Sequence, residues 1–353
     1  MELDNSTIVL ILYCVLAFVL AFYPAYLIFP RFIRKMKSLG NTGKDVNKRG
    51  NIQVAESVSG PNPLRRRGLG KTGQVLRAGG IVAVFSFSLA MFVIAGLASI
   101  SNYHENIVLP LQAATTVFIA AAIIGFIDDW GLLTRRQKAF VIGFAALPLV
   151  FLRPAAPQLD LIFRDLDFTH SSLFGVNFLF ILFWLVVVPA GVLCAANAFN
   201  MAAGYNGLES GIPIITSSFM VLILFLKGRD TGAAIIFLGL IGASVAMYIF
   251  NRYPAKVFVG DVGTLGIGAT YATAAIIGNI AIFAVIAILP MFFEMIATFY
   301  YVSRGKERRT ACMHPILLGD GRIHLDGPQK GPLTILYQRF NAKSLPSAIP
   351  TPF

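Results

Sequence analysis

The stretch Ile124-Gly-Phe-Ile-Asp128-Asp129-Trp130 closes an apolar run that begins at Ile107, and it sets two adjacent carboxylates where lipid-compatible sequence gives way to polar sequence. A helix over 107–127 is long enough to cross a hydrocarbon layer of about 30 Å. An Asp at mid-bilayer costs about 2.5–3.5 kcal/mol on insertion scales, so acidic groups at such a depth are functional candidates by default. Two neighbouring carboxylates also repel unless a proton or a cation neutralises one of them, and a divalent metal is a common neutraliser. The alternative is a polar cap that merely ends a membrane helix. What else reaches the same side of the membrane decides between the two.

The rest of the chain has the same character. Of 353 residues, 56% are hydrophobic and 13% charged, and the mean hydropathy is +0.73. That balance excludes an ordinary soluble domain and indicates an all-α, multi-pass membrane protein. The formal charge of +12 lies mostly between apolar runs, where it speaks for orientation and contact with anionic lipid rather than for nucleic acid. Cys14 and Cys194 lie inside apolar segments and Cys312 in a basic loop; their spacing gives neither a zinc site nor a disulfide framework. Residues 1–7 lack the basic start of a cleaved signal peptide, so Met1 to Pro30 is expected to remain as the first span.

Apolar runs recur at 8–29, 79–100, 107–127, 138–152, 176–196, 212–226, 232–250, 262–278 and 280–300. They predict nine spans in a single integral-membrane domain, 1–353. The runs 138–152 and 212–226 need neighbouring residues to complete a crossing. Residues 31–77 carry twelve Lys or Arg against Asp45 and Glu56, which places this loop in the cytoplasm and the N-terminus outside. Alternation then assigns 128–137, 197–211, 251–261 and 301–353 to the cytoplasm. It assigns 101–106, 153–175, 227–231 and the turn at Gly278-Asn279 to the other face, with a small hairpin expected within 153–175. Within the first loop, 57–73 is rich in Gly, Pro and Arg.

The unusual polar clusters all fall on the cytoplasmic side: Asp128-Asp129, Asn197 to Glu209, Asn251 to Asp261, and Arg322-Ile-His324. Independent caps would occur at both ends of a bundle, so this one-sidedness argues for a single site. Asn197 and Asn200, three apart, share a helix face and can offer amide oxygens to a hard cation or NH2 groups to phosphate; hydrogen bonding between helices is the plainer use. Asp261, between Gly260 and Gly263, stands at a helix start, where a plain N-cap is the competing explanation. Lys138 can pair with a lipid phosphate or simply snorkel. Arg322 and His324 can contact a pyrophosphate, although a basic loop needs no ligand to explain it.

In chain order, Lys44-Asp45-Val-Asn47-Lys48, Asp128-Asp129 with Lys138, Asn197-Ala-Phe-Asn200 to Asn206-Gly-Leu-Glu209, Asn251-Arg-Tyr-Pro254 to Phe258-Val-Gly-Asp261, and Arg322-Ile-His324 resemble the polyprenyl-phosphate N-acetylhexosamine-1-phosphate transferase family. The first motif and the Asn-Gly-Leu-Glu run are most similar to the branch that acts on dolichyl phosphate in archaea and eukaryotes. The His-His-His run typical of the peptidoglycan branch does not occur here.

The resemblance implies transfer of N-acetylglucosamine 1-phosphate from UDP-GlcNAc to a membrane-embedded polyprenyl phosphate, with release of UMP, as the first step of lipid-linked glycan assembly. It implies that Asn200 and Asp261 hold Mg2+, with Mn2+ as a substitute, and that Asp128 and Asp129 sit beside the metal. Lys138 would face the lipid phosphate, Asn206 and Phe258 the uracil, and Arg322 and His324 the pyrophosphate or sugar. Lys44, Asp45, Asn47, Lys48, Asn197 and Glu209 would complete the substrate site, with Glu56 as a sugar-side contact. UDP-GlcNAc, the polyprenyl phosphate and membrane lipid are the expected partners, nucleic acid is not, and a homodimer is compatible.

The chain departs from the family in four places. Residues 57–73 resemble an insertion, Ala55-Glu56-Ser57 stands where the nearest branch has Pro-Glu-Ser, and Arg322 replaces the first His of a His-x-His pattern. The family's tenth span has no counterpart of adequate length in 325–353, leaving nine spans unless a short segment near 332–340 lies at the interface. A transporter using Asp128, Asp129 and Asp261 as an ion path predicts polar residues deep within spans, whereas most spans here are polar at one end only. A scaffold without activity would not need both Asp residues and the metal ligands together.

Overall fold

The computed structural model describes residues 5–38, 42–44, 74–76, 78–101, 104–129, 132–160, 165–169, 172–173, 176–202, 206–228, 231–304, 314–317 and 323–326. Each of the nine apolar runs lies on helix within this set. Among the described residues, six helices are long and apolar enough to cross a membrane: Ile8–Ser38, Gly80–Ile100, Ile107–Asp129, Phe178–Met201, Leu208–Leu226 and Gly232–Asn251. Their outward faces carry large apolar side chains, among them Val19, Phe92, Phe219, Leu222 and Phe225. A helix that is apolar on its exposed as well as its packed side belongs in lipid rather than water.

The other three expected spans differ for local reasons. The run 138–152 is helix Arg135–Val141, a 3-10 turn Ile142–Ala146 and helix Leu147–Leu152, the last beginning beside Pro148, which can donate no backbone hydrogen bond. The run 280–300 is broken at Ile288 into Ala281–Ala287 and Leu289–Ser303, just ahead of Pro290. The helix Gly260–Ile277 is the centre of the bundle: Val262 to Ile276 are buried without interruption.

Small residues make that centre possible. A Cβ placed on Gly263 would come 2.9 Å from the Cα of Gly80, and one on Gly268 would come 2.7 Å from the backbone of Ala195 and Ala196. Helix backbones therefore meet almost directly, as they do in lipid-embedded bundles, where close packing replaces the hydrophobic drive.

The all-α expectation needs one amendment. Among the described residues, four short antiparallel ribbons accompany the helices: Thr42–Lys44 with Gln74–Leu76, Gln158–Asp160 with Asp165–Asp167, Ser172–Leu173 with Val176–Asn177, and His314–Leu317 with Ile323–Asp326. The expected hairpin within 153–175 corresponds to the second, and the third adds another beside it. The first lies in the basic loop and the fourth in the C-terminal segment. The insertion 57–73 and the region near 332–340 lie outside the described residues.

Candidate active site

One end of the bundle gathers side chains from segments far apart in the chain. The Ile107–Asp129 helix delivers Asp128 and Asp129 at its last turn, and a short connection leads to Lys138 on Arg135–Val141. That second helix starts on a capping box in which the Thr134 side chain accepts from the Gln137 amide and the Gln137 side chain accepts from the Thr134 amide, satisfying donors that a helix start leaves free. The Lys138 ammonium bonds Asp128 Oδ2 at 2.5 Å and also pairs with Asp261 Oδ2. The Lys138 and Asp128 side chains are 12% exposed, so the charges meet in a partly dehydrated place where their attraction is weakly screened.

Asp261 is braced from two sides. Asn200 Nδ2 donates to Asp261 Oδ1 at 2.6 Å and to Thr264 Oγ1 at 2.8 Å. The backbone amides of Asp261 and Val262 donate to the two oxygens of Asp129, at 3.3 and 3.4 Å. Asp129 thus caps, from another helix, the positive N-terminal end of Gly260–Ile277. Gly125, one turn before Asp129, brings the two backbones together: a Cβ there would lie 2.7 Å from the Val262 nitrogen. Gly260 has φ +71°, a left-handed backbone that glycine adopts at little cost.

Behind these groups, Asn251 ties two polar turns into one unit. Its Oδ1 accepts from the Gly207 amide at 3.1 Å and from Ser210 Oγ at 2.9 Å, and its Nδ2 donates to the Val257 carbonyl at 3.0 Å. Asn251 is 1% exposed and Ser210 wholly buried, so both depend on these partners. Glu209, in the first turn of Leu208–Leu226, accepts a hydrogen bond from the Val259 amide. Its Oε2 is buried with no hydrogen-bond partner among the described residues. The Phe258 and Val259 carbonyls in turn accept from the Gly79 and Gly80 amides at 2.9 and 2.8 Å, which fixes the Asn251–Asp261 segment to the start of Gly80–Ile100.

Of the residues singled out in the sequence, Asp128, Lys138, Asn200 and Asp261 form one connected cluster, with Asp129 attached through backbone. Three of the expected residues have protein partners of their own. Asn197, although buried, donates its NH2 to the Leu193 carbonyl of its own helix at 2.9 Å. Asn200 meets Asp261 through its NH2 group, not through the oxygen that would ligate a metal. Asp129 accepts from the backbone amides of Asp261 and Val262. Asn206 and Phe258 lie on the two turns that Asn251 joins, both half-buried. Lys44 and His324 lie on ribbon strands, opposite Gln74 and Ile316. Asp45, Asn47, Lys48, Glu56 and Arg322 are outside the described residues. Asn251, Ser210 and Thr264 were not anticipated as site residues; the signal for Asn251 was its place at the end of an apolar run, in the same motif as Asp261.

Comparison with known proteins identifies the family. Residues 110–279 match the family model for glycosyl transferase family 4, a span that contains every described member of the cluster. A provisionally named UDP-N-acetylglucosamine–dolichyl-phosphate N-acetylglucosaminephosphotransferase of Sulfolobus acidocaldarius is 30% identical, with 82% of this chain and 77% of that protein covered. One of the same provisional name from Saccharolobus solfataricus is also 30% identical, with 84% and 82% covered. A provisionally named glycosyltransferase of Methanocaldococcus jannaschii is 33% identical over 59% of this chain. That match spans 62% of the M. jannaschii protein, less than two thirds of its length.

Proposed function

The chain belongs to glycosyl transferase family 4, with archaeal relatives in its likeness, and from that premise we propose that it transfers N-acetylglucosamine 1-phosphate from UDP-GlcNAc to a polyprenyl phosphate of the dolichyl type. An oxygen of the lipid phosphate attacks the β-phosphorus of the nucleotide sugar and a new P–O–P bond forms. The bond from that phosphorus to the bridging oxygen breaks, and UMP leaves. The observation that carries the proposal is the convergence of Asp128, Lys138, Asn200 and Asp261 at one end of a lipid-compatible bundle, where a water-soluble donor and a membrane-anchored acceptor can both arrive. The basic segment 31–77 supports an orientation with this end in the cytoplasm and the N-terminus outside.

Two anionic phosphates must approach each other, so the site has to supply positive charge. Among the described residues no three acidic, His or Cys side chains form a ready group of metal ligands. Sites that bind Mg2+ together with substrate phosphates commonly use only one or two carboxylates, and Asp128 and Asp261, already converged on one ammonium, fit that donor set. Asp261 and Asp128 would hold the ion, with Asn200 orienting Asp261. Bound there, Mg2+ or Mn2+ would offset the charge of the donor pyrophosphate.

The chain's own groups supply the rest. Lys138 provides a mobile cation for the acceptor phosphate, and Asp129 holds the Asp261 helix start in place. Glu209, whose Oε2 has no hydrogen-bond partner among the described residues, would accept from a donor group of the nucleoside, with Asn206 and Phe258 as its other contacts. A phosphate monoester has a second pKa of about 6, so the acceptor is largely a dianion at neutral pH and attacks without a protein base. Asp128 as an obligate general base is the competing scheme. The Asp128→Asn variant is expected to lose rate at every pH and to keep both limbs of the pH–rate profile; loss of one limb would favour the base. Donor choice is tested by comparing UDP-GlcNAc with other UDP-N-acetylhexosamines and with UDP-MurNAc-pentapeptide on the same acceptor. UDP-GlcNAc is expected to give the highest kcat/KM, and preference for another donor would reassign the substrate while leaving the chemistry.

A further inference from the structure

Lys138 answers two carboxylates at once, although those carboxylates are fixed and the lysine is not. Asp261 is held by Asn200 through its side chain and by Asp129 through its backbone amide, and Asp128 sits in the last turn of a helix. The Lys138 backbone is equally well placed by the capping box, but its ammonium rides on a flexible four-carbon stem with three rotatable donors. Both aspartates direct Oδ2 to that ammonium. These are the same two atoms that the proposed divalent ion would require, so ammonium and metal compete for one place.

We infer that Lys138 is an exchangeable counter-cation. It holds Asp128 and Asp261 together while no metal is bound, yields them to a divalent cation, and is then free to turn to a phosphate. This rests on the metal assignment of the proposed function and adds a coupling to it. Because linkage is reciprocal, a phosphate that captures Lys138 strengthens metal binding, and a metal that releases Lys138 strengthens phosphate binding. Order follows from electrostatics alone: the site presents its cation to the acceptor only after its carboxylates have another partner.

The test uses the full chain in detergent or lipid nanodiscs, with Mn2+ as probe followed by electron paramagnetic resonance. Removing the competing ammonium in Lys138→Gln is expected to tighten Mn2+ binding about tenfold, within the range of couplings seen inside one salt-bridge network. The metal-free variant should melt earlier than the parent, with a larger rise in Tm on adding Mn2+. A second measurement needs no variant. Labelling of Lys138 by an amine-reactive reagent, read by peptide mass spectrometry, should accelerate severalfold when Mn2+ saturates the unmodified protein. Mn2+ binding that is unchanged or weaker in Lys138→Gln, or labelling that Mn2+ leaves unchanged or slows, would overturn the exchange and leave the transferase proposal standing. Failure of both proteins to bind Mn2+ would instead overturn the metal assignment beneath it.

Discussion

Lys227 and Lys138 each close an ion pair with an aspartate far along the chain, and they do so at opposite ends of the bundle. Leu208–Leu226 begins beside Glu209 at one end and delivers Lys227 at the other, a helix rise of about 28 Å away. Lys227 pairs with Asp160, whose side chain is 4% exposed, and lies 4.7 Å from the centre of the Phe283 ring. The Asp160 amide also donates to Asn279 at 3.1 Å, so the ribbon at 158–167 is pinned to two helix ends. There Lys227 joins Asp160 against the apolar Phe283 ring. At the other end, Asp128 and Asp261 share Lys138, while Asp129 accepts from the amides that start the Asp261 helix. A carboxylate held by one lysine serves to fasten; two carboxylates on one ammonium, among the described residues, leave room for the cation that the proposed function assigns there.

The sharpest way to break this contrast is to substitute the aspartate at each end. Asp261→Asn is expected to lower kcat by about 10³-fold, the scale on which removed charge-stabilising groups act, in an assay of UMP release per folded molecule. An Asp261 variant that keeps a tenth or more of the parent rate would place the chemistry elsewhere. Gly125→Ala probes the same end without removing a polar side chain. Its methyl must push the Val262 amide and the Asp261 backbone away, and a displacement near 1 Å at a reacting centre costs about 10²-fold. Gly96→Ala, where nothing lies within 4 Å of the new methyl, is the control and should be neutral in rate. Asp160→Asn should give the smallest change in activity, under about twofold, since surface and structural sites far from the chemistry act additively. It should cost stability instead, about 1–3 kcal/mol, below the loss for a fully buried pair because Lys227 keeps some water. A thermal melt in the presence of lipid measures this. A large fall in turnover at unchanged Tm would erase the difference between the two ends.

How far the sequence could be read follows from which interactions are local. The helices were legible because apolar runs of span length admit little else in lipid, and each of the nine proved helical. The cluster was legible as a set, since Asp128, Lys138, Asn200 and Asp261 sat at the same predicted end. Their pairing was not, because Lys138 meets Asp261 across 123 positions and Asn200 meets it across 61. Asn197 illustrates the limit: helical spacing put it on the face of Asn200, yet its NH2 group found the carbonyl four residues back. The family resemblance puts Asp129 beside a metal together with Asp128; successive helix positions point about 100° apart, and the Asp129 oxygens accept from the Asp261 and Val262 amides. The break at Ile288 and the 3-10 turn at Ile142–Ala146 depend on packing around prolines and on neighbours that composition does not reveal.

The most direct measurement asks which phosphate stays with the sugar. Purified protein is given UDP-GlcNAc labelled at the β-phosphate, a polyprenyl phosphate and Mg2+, and the products are separated into lipid and water phases. The expected result is one UMP released for each labelled pyrophosphate lipid formed. Release of UDP with an unlabelled glycolipid, or no turnover from a sample that binds both substrates, would contradict sugar-phosphate transfer at the Asp128–Lys138–Asp261 end.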